Sequence, residues 1–328
     1  MKLILTIDAE ADAWKPSWHS EQPVKNIAAL SEAHELFVAH EMRPTYLVDF
    51  PVASHASSVS ILRSFVTNGQ CEIGAHCHPW TTPPFEEPST QKYTMLSNYP
   101  PSLILRKLQS LHNRIIESFD TVPTSFRAGR WGYGNAVAEA LHRLGYTVDS
   151  SITPLINWHS EFGPRLNHTS IDAYSFDPAD ILIPTPMGKM LEVPLTIGMI
   201  HANPHVSGAL LRFARQSSRP RFWLMRALNR LRLAKIIWLS PEQSTAAEMI
   251  ALTKDLLREH VPVINITFHS STLQPGLTPF TRTHEEKDRF LADLRGFLRF
   301  ARSAGIESIT LSEATQVVPR PRNELADR

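Results

Sequence analysis

The sequence predicts an α/β fold, a distorted (β/α) barrel of seven or eight parallel strands, and three observations carry that expectation. Apolar, β-branched runs alternate along the chain with longer stretches of helical period. At 328 residues and 42% hydrophobic content, the chain can bury one barrel-sized core. Asp8, Asp49, His76, His78, Arg127, Asp149 and His269 all stand at or just past the C-terminal ends of different strand runs. Strands alternating with helices imply a parallel sheet, open or closed. Closure is favoured because the strand ends of a barrel converge on one mouth, where active sites of this architecture lie.

The elements read in order as follows. LILTID from Leu3 precedes a helical stretch over 24–41; RPTYLVDF from Arg43 precedes 55–68; CEIGAHCH from Cys71 precedes a Pro-rich loop and a helix over 101–119. SFRAGRW from Ser125 leads into a helix over 134–144 that ends at Gly145, as helix C-termini often do. GYTVDSSI, LEVPLTIG and VPVINITFHS are further strands. Ser240-Pro241-Glu242 has the form of an N-cap followed by Pro, which places a helix over 241–259. A long helix over 285–303 and the strand ESITL close the series.

These elements fit a single domain over 1–315 with a polar C-terminal tail over 316–328. Two regions interrupt the repeat. The polar, Pro-rich loop 81–100 follows the His pair and can wall a substrate groove. The insert 200–239 carries Arg212, Arg215, Arg219, Arg221, Arg226, Arg230, Arg232 and Lys235, interleaved with Trp223 and Trp238. It reads either as a solvated helical face over the barrel or as a peripheral contact with an anionic membrane or lipid-linked substrate.

Thirty-three basic against 32 acidic side chains leave a formal charge of +1, so no global field draws the chain to nucleic acid. A small or neutral ligand is the expected partner. Cys71 and Cys77 share one predicted strand, a geometry that disfavours a mutual disulfide and implies no oxidising compartment. The apolar start MKLILTIDAE is short for a signal peptide, and no run of about 18 apolar residues occurs, so the expected location is cytoplasmic.

Several clusters can carry chemistry. Asp8 and Glu10, two apart at the end of the first strand, face the same side if the strand continues, so one site can use a ligand carboxylate and a general base. Standing alone, such a pair is more often loop chemistry. His76 and His78 likewise present both imidazoles to one side and can hold one Zn²⁺ or similar ion, with Cys77 turned to the core. Arg127 can hold the base carboxylate or bind an oxyanion. Gly129 lets backbone N–H groups approach a substrate, and Arg130 and Trp131 flank it. His269 can act as general acid; a Ser-His-Asp triad is its rival use, but no Gly-x-Ser-x-Gly elbow occurs. Trp14, Trp18, Trp131 and Trp158 can stack sugar faces or belong to core and rim. His34, His40, His112 and His142 lie on helical segments and are read as structural.

With these residues in view, the chain resembles the polysaccharide deacetylase family, the carbohydrate esterases with NodB homology, over about residues 3–315. Thr6-Ile7-Asp8-Ala9-Glu10 resembles the first motif in an Asp-x-acidic form, which implies Asp8 as general base and Glu10 as metal ligand. Glu72 to Trp80 resembles the second, with His76 as a metal-binding His; Phe126-Arg127-Ala128 resembles the third, whose Arg orients the base. Leu191-Glu192-Val193-Pro194 is similar to a late motif on the substrate side, and Phe268-His269 resembles the last, whose His is the general acid. The second motif usually has His-x-x-x-His, and Trp80 stands where its second His is expected. Either His78 takes the ligand role or fewer protein ligands hold the metal; which of Asp8 and Glu10 touches it also stays open.

The resemblance implies a metal-dependent hydrolase, zinc-loaded, that removes an acetyl group from an N- or O-acetylated sugar or glycan precursor. Arg130, Trp131, Trp80 and Glu192 are the expected substrate contacts. The alternatives are a metal-dependent amidohydrolase for a non-sugar C–N bond and a non-catalytic carbohydrate-binding protein on the same barrel.

Overall fold

Strand β1 (Lys2–Ala9) runs through the centre of the molecule because both its faces are apolar enough to be covered. In the computed structural model, residues 1–18, 22–166, 169–201, 203–215, 227–231 and 233–318 are described. Further strands in chain order are β2 (Thr45–Val48), β3 (Glu72–Cys77), β4 (Ser125–Ala128), β5 (Val148–Asp149), β6 (Tyr174–Asp177), β7 (Asp180–Pro184), β8 (Met190–Glu192), β9 (Ile197–Ile200), β10 (Lys235–Trp238), β11 (Val263–His269) and β12 (Glu307–Ile309). The main sheet runs β11-β1-β2-β3-β4-β5-β8-β6-β7, with β12 also paired to β1. Every pairing from β11 to β8 is parallel, as is that of β12, so eight parallel strands meet the expectation of a distorted barrel.

The distortion lies between β8 and β11, where no ladder joins the two strands among the described residues. Isolated backbone bonds cross the gap, from Thr196 N–H to the Asn265 carbonyl and from Thr267 N–H to the Leu239 carbonyl. The hairpin β6–β7 extends the sheet beyond β8, and β9 and β10 form a separate antiparallel pair.

The barrel interior is layered. At the bottom, Ile4, Leu47, Val148, Leu191 and Val263 form a closed apolar cluster. One pleat higher, Thr6, Arg127, Ser150 and Asn265 are all buried and bonded to one another. Asp8 stands above them, in register with His269 of β11. The opposite face of β1, with Leu3, Leu5 and Ile7, joins the large core beneath the surrounding helices.

Helix Pro101–Phe119 occupies the predicted span, and His284–Ser303 starts one residue early. The stretch 24–41 divides into a 3₁₀ turn, Lys25–Ala29, and helix Leu30–Ala39; 55–68 is preceded by a short helix, Phe50–Ser54, before Ala56–Thr67. The helix expected over 241–259 begins only at Ala246 and ends at Arg258. Its cap is Thr245, whose side chain accepts the Glu248 N–H while Glu248 reaches back to the Thr245 N–H. That reciprocal pair outcompetes the Ser-Pro opening.

In the insert, helix Pro204–Arg215 sets Arg212 against Glu259 and Arg215 against Asp172, each at 2.7 Å. Arg219, Arg221, Trp223, Arg226 and Arg232, and residues 319–328 of the tail, lie outside the described residues. Cys71 and Cys77 are free. No described helix is long and apolar enough to cross a membrane.

Candidate active site

A cavity of ≈ 320 Å³ opens at the C-terminal ends of the parallel strands, lined at its base by Asp8, Glu10, His76, His78 and His269. The two carboxylates two apart on β1 therefore do face one space, although β1 ends at Ala9 and Glu10 lies one residue beyond it.

Glu10, His76 and His78 converge. Oε2 of Glu10 is 2.7 Å from Nε2 of His78 and 3.7 Å from Nε2 of His76, and the two imidazole nitrogens are 3.1 Å apart. All three ligand atoms lie within 4.8 Å of one another and all three residues are buried. Nδ1 of His76 donates to the Arg127 carbonyl at 3.1 Å, a bond between register neighbours on β3 and β4. That bond sets the plane of the ring so that Nε2 faces the cluster.

Burial and the neighbouring His76 lower the pKa of His78 despite its Glu10 partner. Burial would raise Glu10, but its bonds to His76 and His78 outweigh that and hold it below the usual carboxylate range. Two imidazole nitrogens and an ionised carboxylate aimed at one buried point are the ligand types of a divalent metal site, so this donor set fits such an ion.

Gly129 has a packing role beside the one expected. A Cβ there would run into Nδ1 and Cε1 of His78, so the glycine makes room for the ring. Trp80, in the position of the missing second His, packs on the same ring at 4.3 Å between centroids.

Arg127 is fully buried, and all five of its N–H donors are used. Nε donates to the Ser150 carbonyl at 2.9 Å; one terminal nitrogen donates to Oδ1 of Asp8 at 2.6 Å and to Thr267 Oγ1 at 2.8 Å. The other donates to Thr6 Oγ1 at 2.8 Å and Ser150 Oγ at 3.0 Å. No donor remains for an oxyanion, so of its two expected uses the geometry leaves the holding of Asp8. Burial would raise the Asp8 pKa; Arg127, with His76 and His269, outweighs it and keeps Asp8 below its ordinary value.

His269 closes the base of the cavity, with Nε2 3.9 Å from Oδ2 of Asp8. Its Nδ1 is 3.0 Å from Oε2 of Glu242, a carboxylate that also accepts the His269 backbone N–H at 2.9 Å. Burial alone would lower the imidazole pKa; Glu242, then Glu10 and Asp8, raise it to about 10. Sequence reading missed Glu242 because it assigned the residue to a helical first turn. The signal was present: Thr245-x-x-Glu248 is a capping box, and honouring it leaves Glu242 in a loop.

The upper walls are aromatic. Trp14 meets His269 and Phe280 edge-on, and Trp131 lies 6.3 Å from both Trp158 and Trp238. Arg130 is paired with Glu161 at 2.5 Å at the rim. Arg130 and Trp131 both have left-handed backbones, with φ of 52° and 62°, an arrangement that concentrates at functional sites. Trp18 lines a neighbouring pocket on the far side of Trp80.

Glu192, expected among the substrate contacts, does not line the cavity. It is fully buried in register with Asp149, and Oε1 accepts the Ile152 N–H. Burial and the Asp149 carboxylate push its pKa well above the ordinary value. His34 and His112 are structural, bonded to Tyr46 and Tyr146.

Among solved structures, a polysaccharide deacetylase assignment from Mycobacterium smegmatis superposes over 98% of this chain and 93% of its own, with a TM-score of 0.57 at 13% identity. The fold is that of the polysaccharide deacetylase barrels. It is shared more widely: a 4-alpha-glucanotransferase from Thermococcus litoralis matches over 98% of this chain and 41% of its own, with a TM-score of 0.55 at 13% identity. A GH57 branching enzyme from Thermococcus kodakaraensis matches over 97% and 70%, with a TM-score of 0.51 at 11% identity. No family model matches the sequence, and no curated protein is similar to it in sequence.

Proposed function

We propose that this protein is a metal-dependent deacetylase that hydrolyses the acetyl group of an N- or O-acetylated sugar or glycan precursor. One observation carries the reading: an ionised, Arg-held Asp8 and a Glu-held His269 stand side by side over the Glu10–His76–His78 cluster. Glu10, His76 and His78 would hold a divalent cation, zinc being the ion that suits two imidazoles and a carboxylate. Bound there, the cation supplies Lewis acidity toward an acetyl carbonyl and acidifies water.

The chain's own residues do the rest. Arg127 occupies Oδ1 of Asp8, which leaves Oδ2 to take a proton from the attacking water as general base. His269, protonated at neutral pH, gives its Nε2 proton to the departing amine or alcohol. Glu242 on Nδ1 fixes the ring so that Nε2 faces the cavity. The aromatic walls exclude water and offer flat faces for sugar C–H groups.

The glucan-transferring neighbours raise a rival, glycoside chemistry by paired carboxylates. That chemistry requires one carboxylic acid kept protonated by a raised pKa. Asp8 and Glu10 are both held low, which argues against it.

The test is Asp8→Asn, assayed for acetate release from acetylated amino sugars beside elemental metal analysis. A fall in kcat of about 10²–10⁴-fold is expected with about one metal retained. Near-full activity in the variant would remove Asp8 from the role of base. A wild-type chain that takes up no metal on zinc reloading would sink the hydrolase and favour a carbohydrate-binding protein.

A further inference from the structure

Glu10 is an unusual place for a metal-site carboxylate, because the sheet does not control it. The β1–β2 ladder ends with Ala9 opposite Val48, and Glu10 comes next. Beyond the last rung, backbone direction is set by whatever binds the next peptide groups.

Asp49, the residue after Val48, does that binding. Its N–H donates to the Ala9 carbonyl at 3.0 Å, and its Oδ2 accepts the Ala11 N–H at 3.0 Å. Glu10 is thus gripped from both sides by one residue. The same carboxylate caps the helix Phe50–Ser54, with Oδ1 accepting the Val52 N–H at 2.9 Å. Asp49 is fully buried and does not line the cavity, so it touches no substrate. Two further bonds complete the frame: Ser270 Oγ accepts the Glu10 N–H at 3.2 Å, and Asn26 Nδ2 donates to the Glu10 carbonyl at 2.9 Å.

We infer that Asp49 is the positioning residue of the metal site, extending the β1–β2 ladder by one side-chain rung so that Glu10 reaches the ion with His76 and His78. The inference rests on the reading that these three residues hold a divalent cation. Its chemical requirement is specific: two acceptor oxygens on one side chain for two N–H donors. Asparagine has one acceptor and one donor, so either amide orientation sets a donor against Val52 or Ala11. Serine can still cap Val52 but is too short to span both.

The experiment measures zinc affinity by chelator competition for wild type, Asp49→Asn and Asp49→Ser, the visible spectrum of each cobalt-loaded protein, and the Tm of each metal-free protein. A loss of about 10–100-fold in zinc affinity in both variants, with a changed cobalt spectrum in folded protein, is the expected result. Wild-type affinity and spectrum in either folded variant, whatever its Tm, would reduce Asp49 to a helix cap and overturn the inference. If wild-type protein itself fails to bind zinc or cobalt, the metal reading falls and this inference with it.

Discussion

Nδ1 of His269 lies 3.0 Å from Oε2 of Glu242, and that pairing makes a half-buried imidazole beside two other carboxylates cationic rather than neutral. The charge is what qualifies His269 as a proton donor, since a histidine lowered by burial alone would arrive at the reaction without its proton. Glu242→Gln keeps the shape and removes the charge. In the metal-free variant, the His269 pKa measured by NMR titration should fall from about 10 toward the ordinary imidazole range. The alkaline limb of the activity profile should move down with it. A raised folded pKa stabilises the fold fully below the unfolded value near 6.5, and that contribution fades as pH rises toward about 10. The variant should lose this slope in urea denaturation between those limits, and an unchanged His269 titration would show that Glu242 is not its source.

Arg127 offers the converse case, a cation whose value lies in the anion it holds. Arg127→Met leaves Asp8 buried without its guanidinium and removes one donor each from the hydroxyls of Thr6, Thr267 and Ser150. Breaking a buried pair from one side costs about 3–5 kcal/mol, readable as a shift in the urea midpoint. The pH dependence has a definite sign. A depressed Asp8 contributes stability above its unfolded pKa and loses it as pH falls through the folded one. With the cation gone, the folded pKa rises, so the acid limb of activity should move to higher pH. A variant with the wild-type acid limb would mean that Asp8 is not the titrating base.

The parallel fold and most of the cavity floor were legible because both follow from strand ends. Once LILTID, CEIGAHCH and VPVINITFHS are read as parallel strands, Asp8, His76, His78 and His269 must gather at one mouth, and they line one cavity. Features set by side-chain bonding were hidden. Glu192 sits at a strand end like the others, yet its side chain turns into the barrel wall against Asp149, a difference of direction that strand position does not encode. Glu242 lies 27 residues from His269, and only the loop joining β10 to the helix Ala246–Arg258 brings them together. Asp49 was visible as a strand-end acid, but its double grip on the β1 exit depends on the rung where the ladder stops.

Gly129 shows how tightly the metal cluster is framed, and it supplies the most discriminating stability test. Its missing Cβ leaves the space that the His78 ring occupies, with the Cys77 carbonyl close behind. Gly129→Ala should therefore push His78 away from Glu10 and His76, weakening zinc binding by about tenfold or more. Overpacking of this kind costs about 1–3 kcal/mol. The cause is separable by a double-mutant cycle, since contacting residues fail additivity and distant ones do not. In a His78→Ala background the alanine methyl no longer meets the ring and meets only the Cys77 carbonyl, at 2.9 Å, so the stability cost of Gly129→Ala should fall but not vanish. Equal costs in both backgrounds would place the strain in the turn Gly129–Trp131 and not in the histidine it shelters.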